Sequence, residues 1–176
     1  VDAYDKTISA LSNKGMTVTV ILLNDWNPNT PDLVYPGTQK NSNAFYYMFN
    51  AETEAGFDQT KAIASFLAQH YSGDNPNYGK VSNWIIGNEI NNQQWNYMGP
   101  MDLTNYVKAY QKAFRVIYTA IKSTNANDRV YFSLDYNWMN EIDGKLKYGG
   151  KEIVDSFNSI ANTQGQMDWG LAYHPY

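Results

Sequence analysis

The stretch Val81-Ser82-Asn83-Trp84-Ile85-Ile86-Gly87-Asn88-Glu89 reads as a buried strand that stops on a carboxamide beside a carboxylate. Strands rich in Val, Trp and Ile ordinarily end in turn formers. In parallel α/β proteins, chemistry gathers at the carboxyl ends of strands, so a Glu held at that point is an acid/base candidate. The reading requires a parallel α/β setting, which the flanking sequence must supply as strands alternating with helices.

Upstream, residues 1–14 read as a helix with Tyr4, Ile8 and Leu11 on one stripe and Gly15 as its stop. The β-branched run 16–23 reads as a buried strand. Residues 24–50 form a polar loop dense in Asn and Pro, much longer than the usual span of about 2–6 residues between strand and helix. Residues 52–71 give a second helix carrying Phe57, Ile63, Phe66 and Leu67 inward and closed by Ser72-Gly73. Downstream, the loop 88–101 leads to a third helix capped by Asp102, with Tyr106, Tyr110, Phe114, Ile117 and Ile121 on its inner face. Residues 129–135 are the third strand. The fourth helix, 149–162, turns Ile153, Val154, Phe157 and Ile160 inward, and the fourth strand, 168–173, runs directly into His174-Pro175-Tyr176.

This alternation predicts right-handed crossovers and a parallel sheet. A free four-stranded parallel sheet would leave two long apolar edges open, which proteins avoid. The chain opens in a helix with no strand before it and closes on a strand with no helix after it. A closed barrel takes about 250 residues. The expected architecture is therefore a parallel (β/α)8 TIM barrel, present here as a partial barrel of about four strands and four helices. Residues 1–176 form one domain on this reading, truncated at both ends.

Composition narrows the function. A net charge of -4, with no cluster of Lys and Arg, argues against a nucleic-acid partner. No segment offers the roughly 18 uncharged apolar residues of a membrane helix, and the first residues carry no visible signal peptide. With no cysteine and two isolated histidines, thiolate catalysis, disulfides and a Cys- or His-built metal site drop out. The oxygen-rich run 135–144 breaks the alternation of a calcium loop at Met139, so no cofactor or metal is expected. Aromatic residues reach 15%, with 15 Tyr and 5 Trp, which suits a surface that receives something flat and polar.

The segment Trp84-Ile85-Ile86-Gly87-Asn88-Glu89 resembles the acid/base motif that closes the fourth barrel strand in the cellulase-like glycoside hydrolases of clan A. His174-Pro175-Tyr176, two strands later, is similar to the His-x-Tyr that closes the sixth strand in many of them. On this alignment residues 16–24 are the third strand, and the resemblance spans nearly the whole chain as architecture, although only the two short motifs are specific. It implies a glycosidase for β-linked poly- or oligosaccharides, acting outside the cell on a carbohydrate substrate. Glu89 is then the general acid/base and Asn88 its donor to the sugar hydroxyl beside the reacting carbon. His174 walls the sugar site, and Tyr176 orients the nucleophilic carboxylate.

A retaining reaction needs a second carboxylate about 5–5.5 Å from the first. In the resembled clan it ends the seventh strand, so the nucleophile is expected outside this chain, on the remaining barrel segments. Asp25, Asp135 and Glu141 stand near strand ends as alternative bases for an inverting reaction, or simply as turn and capping residues. Asn24 is a candidate for the same mouth, or a turn-forming Asn. Trp26, Trp95 and Trp138 each follow a different strand end and would set three indoles around one rim, against the plainer reading of rim packing. Trp84 and Trp169 read as core, and His70 as a partner of its helix C-terminus. A rival reading keeps the aromatic rim without catalysis, as a carbohydrate-binding module derived from such a barrel. A third is a half-barrel that dimerises through its open edges.

Overall fold

The computed structural model describes residues 1–139 and 143–176. The elements alternate in the order α1 (Asp2–Ser12), β1 (Thr19–Leu22), α2 (Glu54–His70), β2 (Asn83–Ile86), α3 (Leu103–Thr124), β3 (Arg129–Leu134), α4 (Gly150–Gln164) and β4 (Trp169–Tyr173). A single 3-10 turn, Pro31–Leu33, interrupts the long first loop. The strands make one sheet in the order β1-β2-β3-β4, and every neighbouring pair is parallel. The chain is α/β, as its alternation predicts. No helix among the described residues is long and apolar enough to cross a membrane.

A singly wound order with right-handed crossovers puts successive helices on the same face of the sheet. Strand residues alternate accordingly. Trp84, Ile86, Val130, Phe132 and Leu134 face the helices and are almost wholly buried. Asn83, Arg129, Tyr131 and Ser133 take the other face, where Asn83 Nδ2 donates to Thr19 Oγ1 across the strands at 3.1 Å. Tyr131 lies across Gly170, whose hydrogen marks a spot where an added Cβ would stand 2.4 Å from the ring.

The core between sheet and helices is aromatic. Phe157 of α4 lies 4.9 Å from Phe132, 5.1 Å from Phe114 and 5.0 Å from Trp169, ring centre to ring centre. Helix α3 buries Tyr106, Tyr110, Phe114, Ile117 and Ile121 as its period requires, and Asp102 caps it by accepting the Asn105 N–H at 3.0 Å. Trp84 is core and directs its indole N–H to Asp128 at 3.0 Å.

Two inner faces differ from expectation. On α2 the buried row is Gly56, Thr60, Ala64 and Ala68, whereas Phe57, Ile63 and Phe66 remain 38%, 38% and 51% exposed. The row repeats every four residues, and its small side chains allow close packing: a Cβ on Gly56 would collide with Asn50, and Thr60 Oγ1 donates to Asn50 O at 2.8 Å. On α1 only Ile8 is buried and Tyr4 is 70% exposed. That helix is fastened by polar contacts instead. Asp5 Oδ1 accepts from Tyr71 Oη and lies against His70 Nε2, each at 2.9 Å. His70 therefore pairs with α1, in addition to sitting in the last turn of α2.

Candidate active site at the strand ends

The carboxyl end of β2 is an unusual turn. Gly87 and Glu89 both have positive φ, 74° and 42°, and Glu89 is the only non-glycine among the described residues in that region. Left-handed backbone disfavours a side chain, and what holds it can be counted donor by donor. The Gly87 N–H donates to Leu22 O at 2.9 Å. The Glu89 N–H donates to Ser133 Oγ at 2.8 Å, and the Ile90 N–H to Ser133 O at 2.9 Å. From below, Tyr110 Oη donates to Ile86 O and Tyr106 Oη to Ile90 O at 2.7 Å, so two phenols of α3 bracket the turn. Burial drives both phenols far above the ordinary tyrosine range, which keeps them neutral donors.

The turn aims the Glu89 side chain at the end of β4. His174 Nδ1 lies 2.9 Å from Glu89 Oε1, and a proton on Nδ1 makes it the donor. Tyr176 Oη donates to the same oxygen at 2.8 Å. The two rings stand two residues apart on one face of extended chain, stacked at 5.8 Å. The His174 N–H is itself fixed to Leu134 O at 2.9 Å. Tyr176 is 85% exposed, yet it is pushed above the ordinary phenol value, first by donating to the Glu89 carboxylate, then by local desolvation and by the charges of Glu89 and Asp135. Glu89 Oε2 has no hydrogen-bonding partner among the described residues, and the side chain keeps 9% exposure. One carboxyl oxygen is thus held by two groups and the other is left for a ligand.

The structure brings Glu89, His174 and Tyr176 together. The phenol of Tyr176 meets Glu89 itself here. Asn88 is half-buried beside them, and its carboxamide is unbonded among the described residues. The other expected contributors are each engaged by near neighbours. Asn24 is 7% exposed and its Nδ2 donates to Leu33 O at 2.8 Å, bracing the first loop. Trp26 lies beneath Lys40, whose Nζ is 5.7 Å from the ring centre. Trp95 stacks on Phe45 at 4.7 Å, and Trp138 meets Tyr173 edge-on at 5.9 Å. None of the three indoles makes a ring contact with the Glu89 cluster among the described residues.

Of the alternative bases, Asp135 is committed to structure. It accepts from Asn91 Nδ2 and from both the N–H and Nδ2 of Asn137. Asp25 Oδ1 accepts the Trp26 N–H at 2.7 Å in a local turn, and Glu141 lies outside the described residues. Ser133, Tyr106 and Tyr110 escape a sequence reading because each fits a simpler role, strand or helix core. The available signal is the one aliphatic hydroxyl, Ser133, in the apolar run before Asp135.

No curated protein matches the chain. A family described as a family of unknown function, DUF5722, matches residues 1–176. The chain belongs to that family.

Proposed function

We propose that this chain carries the acid/base half of a clan A glycoside hydrolase site, acting on a β-linked poly- or oligosaccharide with retention. The observation that carries the reading is the convergence of His174 and Tyr176 on one oxygen of Glu89, at the carboxyl ends of β4 and β2. The singly wound sheet, helical on one face, is what part of a (β/α)8 barrel looks like when its inner face is seen directly.

In this mechanism Glu89 delivers a proton from Oε2 to the departing glycosidic oxygen and then, as carboxylate, draws one from water. His174 and Tyr176 hold Oε1, so the carboxyl plane is fixed while Oε2 works. Asn88 supplies a donor that strengthens as charge develops at the sugar. The nucleophilic carboxylate comes from outside residues 1–176. In the full-length protein, Glu89→Gln is expected to lower hydrolysis of β-linked oligosaccharides by about 100- to 10,000-fold. Aryl glycosides with good leaving groups should suffer least in the glycosylation step. Unchanged oligosaccharide turnover removes the assignment.

One observation favours carbohydrate binding without catalysis. Phe45 is 54% exposed on the stack with Trp95. Nearby runs a groove of about 300 Å³ lined by Asn41, Asn43, Asn92, Gln94, Tyr97 and Lys147. Carboxamides both donate and accept, as sugar hydroxyls do. Oligosaccharide binding by the full-length protein with no product release selects this reading.

A further inference from the structure

The geometry points to Ser133 as the positioning residue that sets the conformation of Glu89, an inference that rests on the glycosidase reading for its kinetic consequence. Ser133 is wholly buried on β3 and Glu89 is 6% exposed, so water does not stand in for either. The serine hydroxyl oxygen accepts the Glu89 N–H at 2.8 Å and lies 3.5 Å from Gly87 O, toward which its own proton points. Its carbonyl accepts the Ile90 N–H at 2.9 Å. One residue of the neighbouring strand thus serves both the start and the end of the turn that carries the carboxylate.

The conformation it serves is one a glutamate rarely adopts, with φ at 42°. The next residue on β3, Leu134, accepts the His174 N–H. The end of β3 is therefore the common bracket for Glu89 and for the histidine that meets it. With a hydrogen in place of the hydroxyl, as in Ser133→Ala, the Glu89 N–H loses its acceptor and faces a dry wall. The backbone then gains by leaving the left-handed region, which swings the carboxyl away from His174 Nδ1 and Tyr176 Oη. The carbonyl bonds of β3 survive that change, so the effect is confined to the turn.

The test compares Ser133→Ala with Ser133→Thr in the full-length protein. In Ser133→Ala, kcat on β-linked oligosaccharides is expected to fall about 100-fold, the scale of a misplacement near 1 Å, while KM holds within about twofold. Ser133→Thr keeps the oxygen and should recover most of kcat. In parallel, the φ-sensitive three-bond amide coupling of residue 89 should move to an extended value in Ser133→Ala and stay in Ser133→Thr. If Ser133→Ala does not fold, Ser133→Cys, with a weak sulfur acceptor, replaces it. Equal kcat in wild type and Ser133→Ala, or an unmoved coupling, overturns the proposal. Should the wild type hydrolyse nothing, the glycosidase reading falls and the coupling still decides what Ser133 does.

Discussion

Two donors on Oε1 and none on Oε2 make Glu89 an asymmetric carboxyl. The asymmetry has a titration signature in Tyr176. Its neutral phenol donates to the carboxylate, and its phenolate would be repelled, so ionisation is delayed beyond the ordinary 10.0. Replacing Glu89 by Gln removes the charge. The ring-carbon resonance of Tyr176 should then titrate closer to 10.0, and an unmoved midpoint would dissolve the contact. Beneath the turn, Tyr106 Oη also accepts from Asn96 Nδ2 at 2.9 Å. Tyr106→Phe leaves a buried carbonyl and a buried amide unmet, a loss of about 1–3 kcal/mol. A denaturant midpoint that does not move would contradict that accounting.

Among the elements, α2 shows that closeness can outweigh bulk. Its row of Gly56, Thr60, Ala64 and Ala68 is buried while larger residues stay half outside. Ala64 is 2% exposed, so Ala64→Leu overpacks this face of α2 and should cost about 1–3 kcal/mol. A neutral outcome by thermal unfolding would mean that this face has room for the larger side chain. Helix α3 depends on its first turn in another way. Asp102 accepts the Asn105 N–H, and that backbone bond is the leading cause of its lowered pKa. Asp102→Ala should cost about 1 kcal/mol, read from the same transition.

For the molecule as a whole, α1 is joined lightly: it buries Ile8 alone and is tied by Asp5 and by Ser12, whose Oγ accepts the Lys80 N–H at 3.0 Å. Burial would raise the pKa of that carboxyl. Hydrogen bonds from His70 and Tyr71, with the electrostatic attraction of His70, outweigh it and bring the value below 3.8. A depressed folded-state pKa stabilises above the unfolded value and is lost as pH falls through the folded one. Asp5→Asn should therefore melt earlier than wild type near neutral pH, and the gap should close as pH drops below 3.8. A gap of constant size into strong acid would show that the carboxylate is not what holds α1.

The alternation of parallel strands and helices, the inner face of α3 and the strand-end position of Glu89 are legible in the order of residues, because each is written in local periodicity and turn chemistry. That order also places His174 and Tyr176 on one face of one strand end. Which distant groups meet is set by the packing of the folded chain. That His174 and Tyr176 share a single oxygen of Glu89 depends on the register of β3 and β4. That Ser133, Tyr106 and Tyr110 hold the turn depends on crossovers more than ten residues long, which no local pattern encodes. The same reason explains α2 and the indoles. Which face a helix buries, and what a loop tryptophan stacks on, follow from the partner surface the whole chain builds.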